Sequence, residues 1–122
     1  MFKKLHNKLL GKKGENLASD YLKKLGYQIL ETNFRYSKIS EIDIIAKDKD
    51  TLVFVEVKTR SSTKCGHPTE AINQTKLNHI FKAGLAYMQQ SKEKYTNYRI
   101  DAISIIGEKD PTIEHLKNIS LN

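Results

Sequence analysis

The chain has 122 residues, 39% hydrophobic and 29% charged, a globular composition sized for one domain with one modest core. Lysine and arginine number 21 against 14 aspartate and glutamate, and the resulting net charge of +7 favours a polyanionic partner, nucleic acid ahead of an anionic membrane. The longest apolar runs are short, such as LVFV (52–55), the basic start MFKKLHNKLLGKKG lacks the apolar stretch of a secretory signal, and Cys65 is the sole cysteine, so a cytoplasmic protein without membrane span or intrachain disulfide is expected.

Residues 1–13 read as a basic lead-in, and 14–122 as the folded domain. GENLASDYLKKL (14–25) has helical periodicity, with Leu17, Ala18, Tyr21, Leu22 and Leu25 on one face and Gly26 placed to end it. Glu15 sits near the helix start, where the dipole favours a carboxylate. It lies beside Leu22 at the edge of the apolar stripe, so it faces sideways rather than fully outward.

Strands are expected over 27–34, 41–46, 51–59 and 98–106, with a turn at DKD (48–50). SSTKCGHPT (61–69) is a polar loop suited to a mobile flap, and 70–90 has the pattern of a long helix whose apolar face includes Leu77, Ile80, Ala83 and Tyr87. Residues 113–121 fit either a strand or a short helix. The order gives an α/β sheet with helices packed against it, in a single domain.

The second and third strands carry the chemistry. A two-residue loop at Lys49 and Asp50 would set Asp43 opposite Glu56 and Glu41 opposite Lys58. Alternation then places these four on one face of the sheet, and Val53, Val55 and Val57 on the other with Ile42 and Ile44, a face that can be dry. Two acids side by side destabilise a ladder unless something offsets them. A Mg²⁺ or Mn²⁺ held by Asp43, Glu56 and the Val57 carbonyl, with Glu15 entering from the helix, would do so. Lys58 could then orient or help deprotonate a water, or stabilise charge on a phosphate. The alternative is an ordinary cross-strand ion pair on a solvent-facing surface.

The residues also carry a resemblance. SEID (40–43) followed by EVK (56–58) resembles the D…(D/E)xK signature of restriction-endonuclease-like nucleases. GKKGENLASDYLKKLGYQILETNFR, EIDIIAKDKDTLVFVEVKTR, GHPTEAINQTKLNHIFKAGLAYM and YRIDAI together resemble the YraN family, uncharacterised protein family 0102, similar to archaeal Holliday-junction resolvases. The resemblance implies a PD-(D/E)XK mixed sheet flanked by helices and metal-dependent cleavage of phosphodiesters in DNA. Its site falls on Glu15, Asp43, Glu56 and Lys58, with Glu41 nearby; Ser40 departs from a glycine common in the family. The analogy with resolvases implies a homodimer presenting two sites.

Lys76, matched by a family lysine, could approach the site or phosphate, or snorkel at the surface. Asp101, in an apolar strand, needs a partner such as an arginine and is a supporting residue. Arg60, Lys64, Lys12 and Lys13, with Lys3, Lys4 and Lys8, are candidates for nucleic-acid backbone contacts, and Tyr36 for stacking on a base. Cys65, His67 and His79 are too sparse for zinc.

Overall fold

A computed structural model describes residues 2–64 and 66–119, with the side chains of residues 2–4 excepted. Cys65, the side chains of Lys3 and Lys4, and the end of the expected domain (120–122) lie outside the described residues. The elements are α1 (Phe2–Lys24), β1 (Gln28–Arg35), β2 (Glu41–Asp48), β3 (Thr51–Arg60), a 3-10 turn (Pro68–Ala71), α2 (Gln74–Gln90), β4 (Asn97–Ile106) and β5 (Thr112–Leu116). The basic lead-in and the periodic segment after it are one helix. The ambiguous C-terminal segment contains a strand.

The five strands follow sequence order, β1-β2-β3-β4-β5. Among the described residues only the β3–β4 pair is parallel, so the sheet is mixed. A parallel neighbour requires a crossover, and α2 supplies it. The crossover leaves one helix on each side of the sheet, an α/β domain. Among the described residues, no helix is long and apolar enough to cross a membrane.

Both faces of the sheet are dry. On the α1 side, Ala18 and Leu22 pack against Ile44, Val53, Val55, Val57 and Ile103. On the α2 side, Ile80 and Ala83 pack against Ile42, Ile45, Leu52, Phe54 and Ile100. The continuous run LVFV is what a strand covered on both faces requires. The face bearing Glu56 is therefore roofed by α2 and is no open surface. Gly84 lets α2 come this close, because a Cβ there would collide with the Phe54 ring.

One expectation fails here. Ile42 does not share a face with Ile44: it packs under α2 while Ile44 packs under α1. The alternation of β2 slips between them, at Asp43.

Candidate active site

The slip has a visible cause. The β2–β3 ladder runs in the expected register from Asp48↔Thr51, across the two-residue loop, to Ile44↔Val55. On the other side, β1 pairs Thr32 with Ile44 and Phe34 with Ile42. Asn33, between them, stands level with Asp43 and adopts φ 54°, the left-handed region that asparagine tolerates better than most residues. That kink turns β1 where β2 changes face. Asp43 is thereby freed from the flat cross-strand position opposite Glu56. Its Oδ2 instead accepts the Val57 backbone N–H at 2.8 Å.

Glu56 is 2% exposed. Its Oε2 lies 3.2 Å from Lys76 Nζ and 3.4 Å from Lys58 Nζ. The surface ion-pair reading is thus set aside: the carboxylate is buried, with one ammonium from its own strand and another from the first turn of α2. Lys76 is placed by the cap of that helix, where Asn73 Oδ1 accepts the Lys76 backbone N–H at 2.9 Å. Burial, then the charge of the adjoining Glu56 and its hydrogen bonding, push the Asp43 carboxyl up to about 8, against the opposing Val57 N–H bond.

Glu15 arrives from α1. Its neighbour Gly14 lies against β3 so closely that a Cβ would collide with Thr59 Oγ1, which explains a glycine inside this helix. Burial raises the Glu15 carboxyl above the usual range, and Glu41 and Glu56 add to the rise. A hydrogen bond with Asn33 and the charge of Lys12 oppose it. Glu15, Val57, Lys58 and Arg60 line a cleft of 430 Å³ between the N-terminal half of α1 and the end of β3.

Other expected residues fall elsewhere. Glu41 is not opposite Lys58: it is aligned with Arg35 on β1 and bonded to it at 3.0 Å. The ladder to β3 ends before reaching it. Asp101 is fully buried and bonded to Arg99 at 2.9 Å, His115 at 2.8 Å and the Asn118 N–H at 2.9 Å. Burial would raise its carboxyl, but those donors outweigh it and hold it below the usual range. Its arginine is Arg99, which also reaches Tyr27 and Asp48, so Asp101, level with Val55 in mid-sheet, ties β4 to β5 and to the end of β2. Arg60, Lys64, Lys12 and Lys13 are exposed, as a backbone contact requires. His67 is bonded to Thr69 and Glu114.

The side-chain donors at the site are oxygens: the adjoining carboxylates of Asp43 and Glu56, with Glu15 near enough to feel the charge of Glu56. That set fits a hard cation such as Mg²⁺ or Mn²⁺, which commonly takes one or two carboxylates and keeps several waters. No three acidic or imidazole groups among the described residues converge into a ready cage. The pair fits a hydrated ion rather than a fully enclosed one.

The profile of the uncharacterised protein family UPF0102 matches residues 14–105. The chain belongs to this family. A UPF0102 protein of Caldicellulosiruptor saccharolyticus is 46% identical over 101 residues, covering 83% of this chain and 85% of the relative. Those of Geobacter sulfurreducens and Caldicellulosiruptor bescii are 45% and 52% identical, covering 93% and 80% of this chain and 89% and 82% of theirs. Glu15, Asp43, Glu56, Lys58 and Lys76 all lie inside the UPF0102 match.

Sequence reasoning missed Asn33 and Asn73. Asparagine is a poor strand residue, so its place in TNF, inside an expected strand, was the available signal. Two substitutions separate its roles. Asn33→Gly keeps the left-handed backbone without strain and should cost about 1 kcal/mol in a thermal melt, through the lost bond and chain entropy. Asn33→Ala adds about 1–2 kcal/mol of backbone strain. Equal melting of the two would show that the backbone at Asn33 carries no strain for an ordinary residue.

Proposed function

We propose that this chain is a metal-dependent endonuclease with a restriction-endonuclease-like fold, hydrolysing phosphodiester bonds in DNA, with branched or repair intermediates as the substrate class to test first. One observation carries the reading: two adjoining carboxylates, Glu56 buried and Asp43 half-buried, beside a lysine that lines a cleft. Burying two acids side by side works against stability, and such sites concentrate where chemistry needs them. The D…ExK spacing, the mixed sheet and the parallel crossover after β3 support the same fold.

Asp43, Glu56 and the Val57 carbonyl would hold a Mg²⁺ or Mn²⁺, with Glu15 as a further oxygen donor. When bound, the ion polarises the phosphoryl group and offsets its developing negative charge. Lys58 orients the attacking water at the cleft wall and donates to the charge that develops on phosphate. Lys76 holds the Glu56 carboxylate in place. Arg60, with Lys12, Lys13 and Lys64, meets the flanking phosphates, which position the strand without reading its sequence. Glu41 fixes Arg35 at the rim. A homodimer would bring a second site to the other strand of a branched substrate.

The test incubates purified protein with branched, flapped, single-stranded and duplex DNA under Mg²⁺, Mn²⁺ or EDTA. Metal-dependent nicking is expected, absent in EDTA. Salt-sensitive binding without nicking on any substrate would identify a nucleic-acid-binding protein on the same fold instead.

A further inference from the structure

A second recess lies outside the cleft. It has a volume of 480 Å³ and is lined by Phe34, Arg35, Tyr36, Ala86, Gln89 and Gln90, between the end of β1 and the last turn of α2. Its chemistry differs from the acidic site. It offers two aromatic rings, a guanidinium and two carboxamides, and no carboxylate among its lining residues. We propose that this recess receives one unpaired nucleobase of a strand whose backbone runs on into the cleft. The inference rests on the nucleic-acid part of the function proposed above, and it names the substrate feature recognised.

The recess is built rather than incidental. Phe34 is held edge-on by Tyr87, with ring centroids 5.4 Å apart. Tyr36 is 60% exposed on a hairpin tip whose backbone is fixed. The Tyr36 N–H donates to the Ser40 carbonyl at 2.9 Å, and the Ser40 N–H donates to Ser37 Oγ at 3.2 Å. An exposed ring on a fixed turn is a stacking platform that loses little entropy on binding. Gln89 and Gln90 are exposed beside it and carry both donors and acceptors, which suits the mixed edge of a base.

Place and size favour nucleic acid over protein. Arg35 is level with Glu41, and Asp43 follows Glu41 by two residues, roughly 7 Å along β2. The helix wall of the recess, Gln89 and Gln90, lies roughly 20 Å along α2 from Lys76, which touches Glu56. A base in the recess would thus belong to a nucleotide a few positions from the scissile phosphate. A protein interface of ordinary stability covers about 800 Å² per partner, more than one hairpin tip and one helix end provide. Lys38 adds positive charge at the tip, complementary to a phosphate backbone, while Arg35 is already paired with Glu41.

The test measures binding in EDTA of single-stranded DNA carrying one 2-aminopurine, beside duplex DNA of the same sequence. Wild type and Tyr36→Phe should quench 2-aminopurine fluorescence and bind alike. Tyr36→Ala should lose the quenching and bind the single strand about tenfold more weakly, with duplex affinity unchanged. The paired change Gln89→Ala, Gln90→Ala should weaken single-strand binding while leaving the duplex alone. Single-strand binding by Tyr36→Ala equal to that of Tyr36→Phe, with nicking intact, overturns the base pocket alone. Tyr36-dependent binding without nicking under Mg²⁺ supports the pocket and overturns the nuclease reading. No binding to any DNA overturns both.

Discussion

Asp43→Asn should melt several degrees above wild type at pH 8, and equal to it near pH 4, while losing most of its affinity for Mn²⁺. Asp43 is half-buried beside Glu56, and its carboxyl is pushed up to about 8 from a usual 3.8. Between those values the folded protein holds a proton that the unfolded chain has released. Protons bound in the folded state exceed those in the unfolded state, so stability falls as pH rises, by at most about 1.4 kcal/mol per pH unit. Below the lower value both states are protonated and the slope vanishes. Asparagine cannot ionise, so it removes the slope. It also keeps the contacts of the protonated acid: its Oδ1 can accept the Val57 N–H, and its amide can donate to Glu56.

The same substitution removes a metal-ligating oxygen charge. In wild type, a cation must displace the proton that Asp43 holds, so apparent Mn²⁺ affinity should rise with pH up to about 8 and binding should release a proton. Calorimetry in two buffers of different ionisation heat measures that release. Melting of Asp43→Asn below wild type at pH 8 would mean that the pair is not strained by like charge. Mn²⁺ binding without proton release would place the ion elsewhere.

The hairpin shows what could be read from residues and what could not. Turn chemistry at Lys49–Asp50 and period-2 alternation were enough for the register from Asp48↔Thr51 to Ile44↔Val55. Beyond Ile44 the same rule misplaced Ile42 and Glu41. A single left-handed residue on a neighbouring strand, Asn33, breaks the period, and alternation along β2 alone carries no trace of it. The alternation also left open whether the Glu56 face met solvent or a helix. The helix pattern of 70–90 implied a cover, but only packing shows that Lys76 reaches Glu56 from it. Asp101 behaves as a buried acid must: its partner is an arginine two residues away, with a histidine from β5 that no local pattern could pair with it.

Lys58→Met should lower the nicking rate by about 10²–10⁴ while leaving the fold and Mn²⁺ affinity close to wild type. Methionine keeps the apolar stem and removes only the ammonium. Glu56 would not be left without a cation, because Lys76 remains 3.2 Å from the same oxygen. Both lysines touch that oxygen, but Lys58 lines the cleft and Lys76 does not appear in its wall. If Lys58 acts on water and phosphate, its loss should fall on kcat with KM little changed, the pattern of an interaction made in the transition state. Lys76→Met should act differently, through the position of Glu56, and should weaken Mn²⁺ binding together with the rate. Arginine at position 58 should not restore activity, since a planar fork does not replace a compact ammonium at a tight strand end. Unchanged nicking in Lys58→Met would remove this residue from the chemistry. An equal kcat loss in both variants, with Mn²⁺ binding untouched in each, would mean that the two lysines form one unit around Glu56 rather than a reacting group and a support.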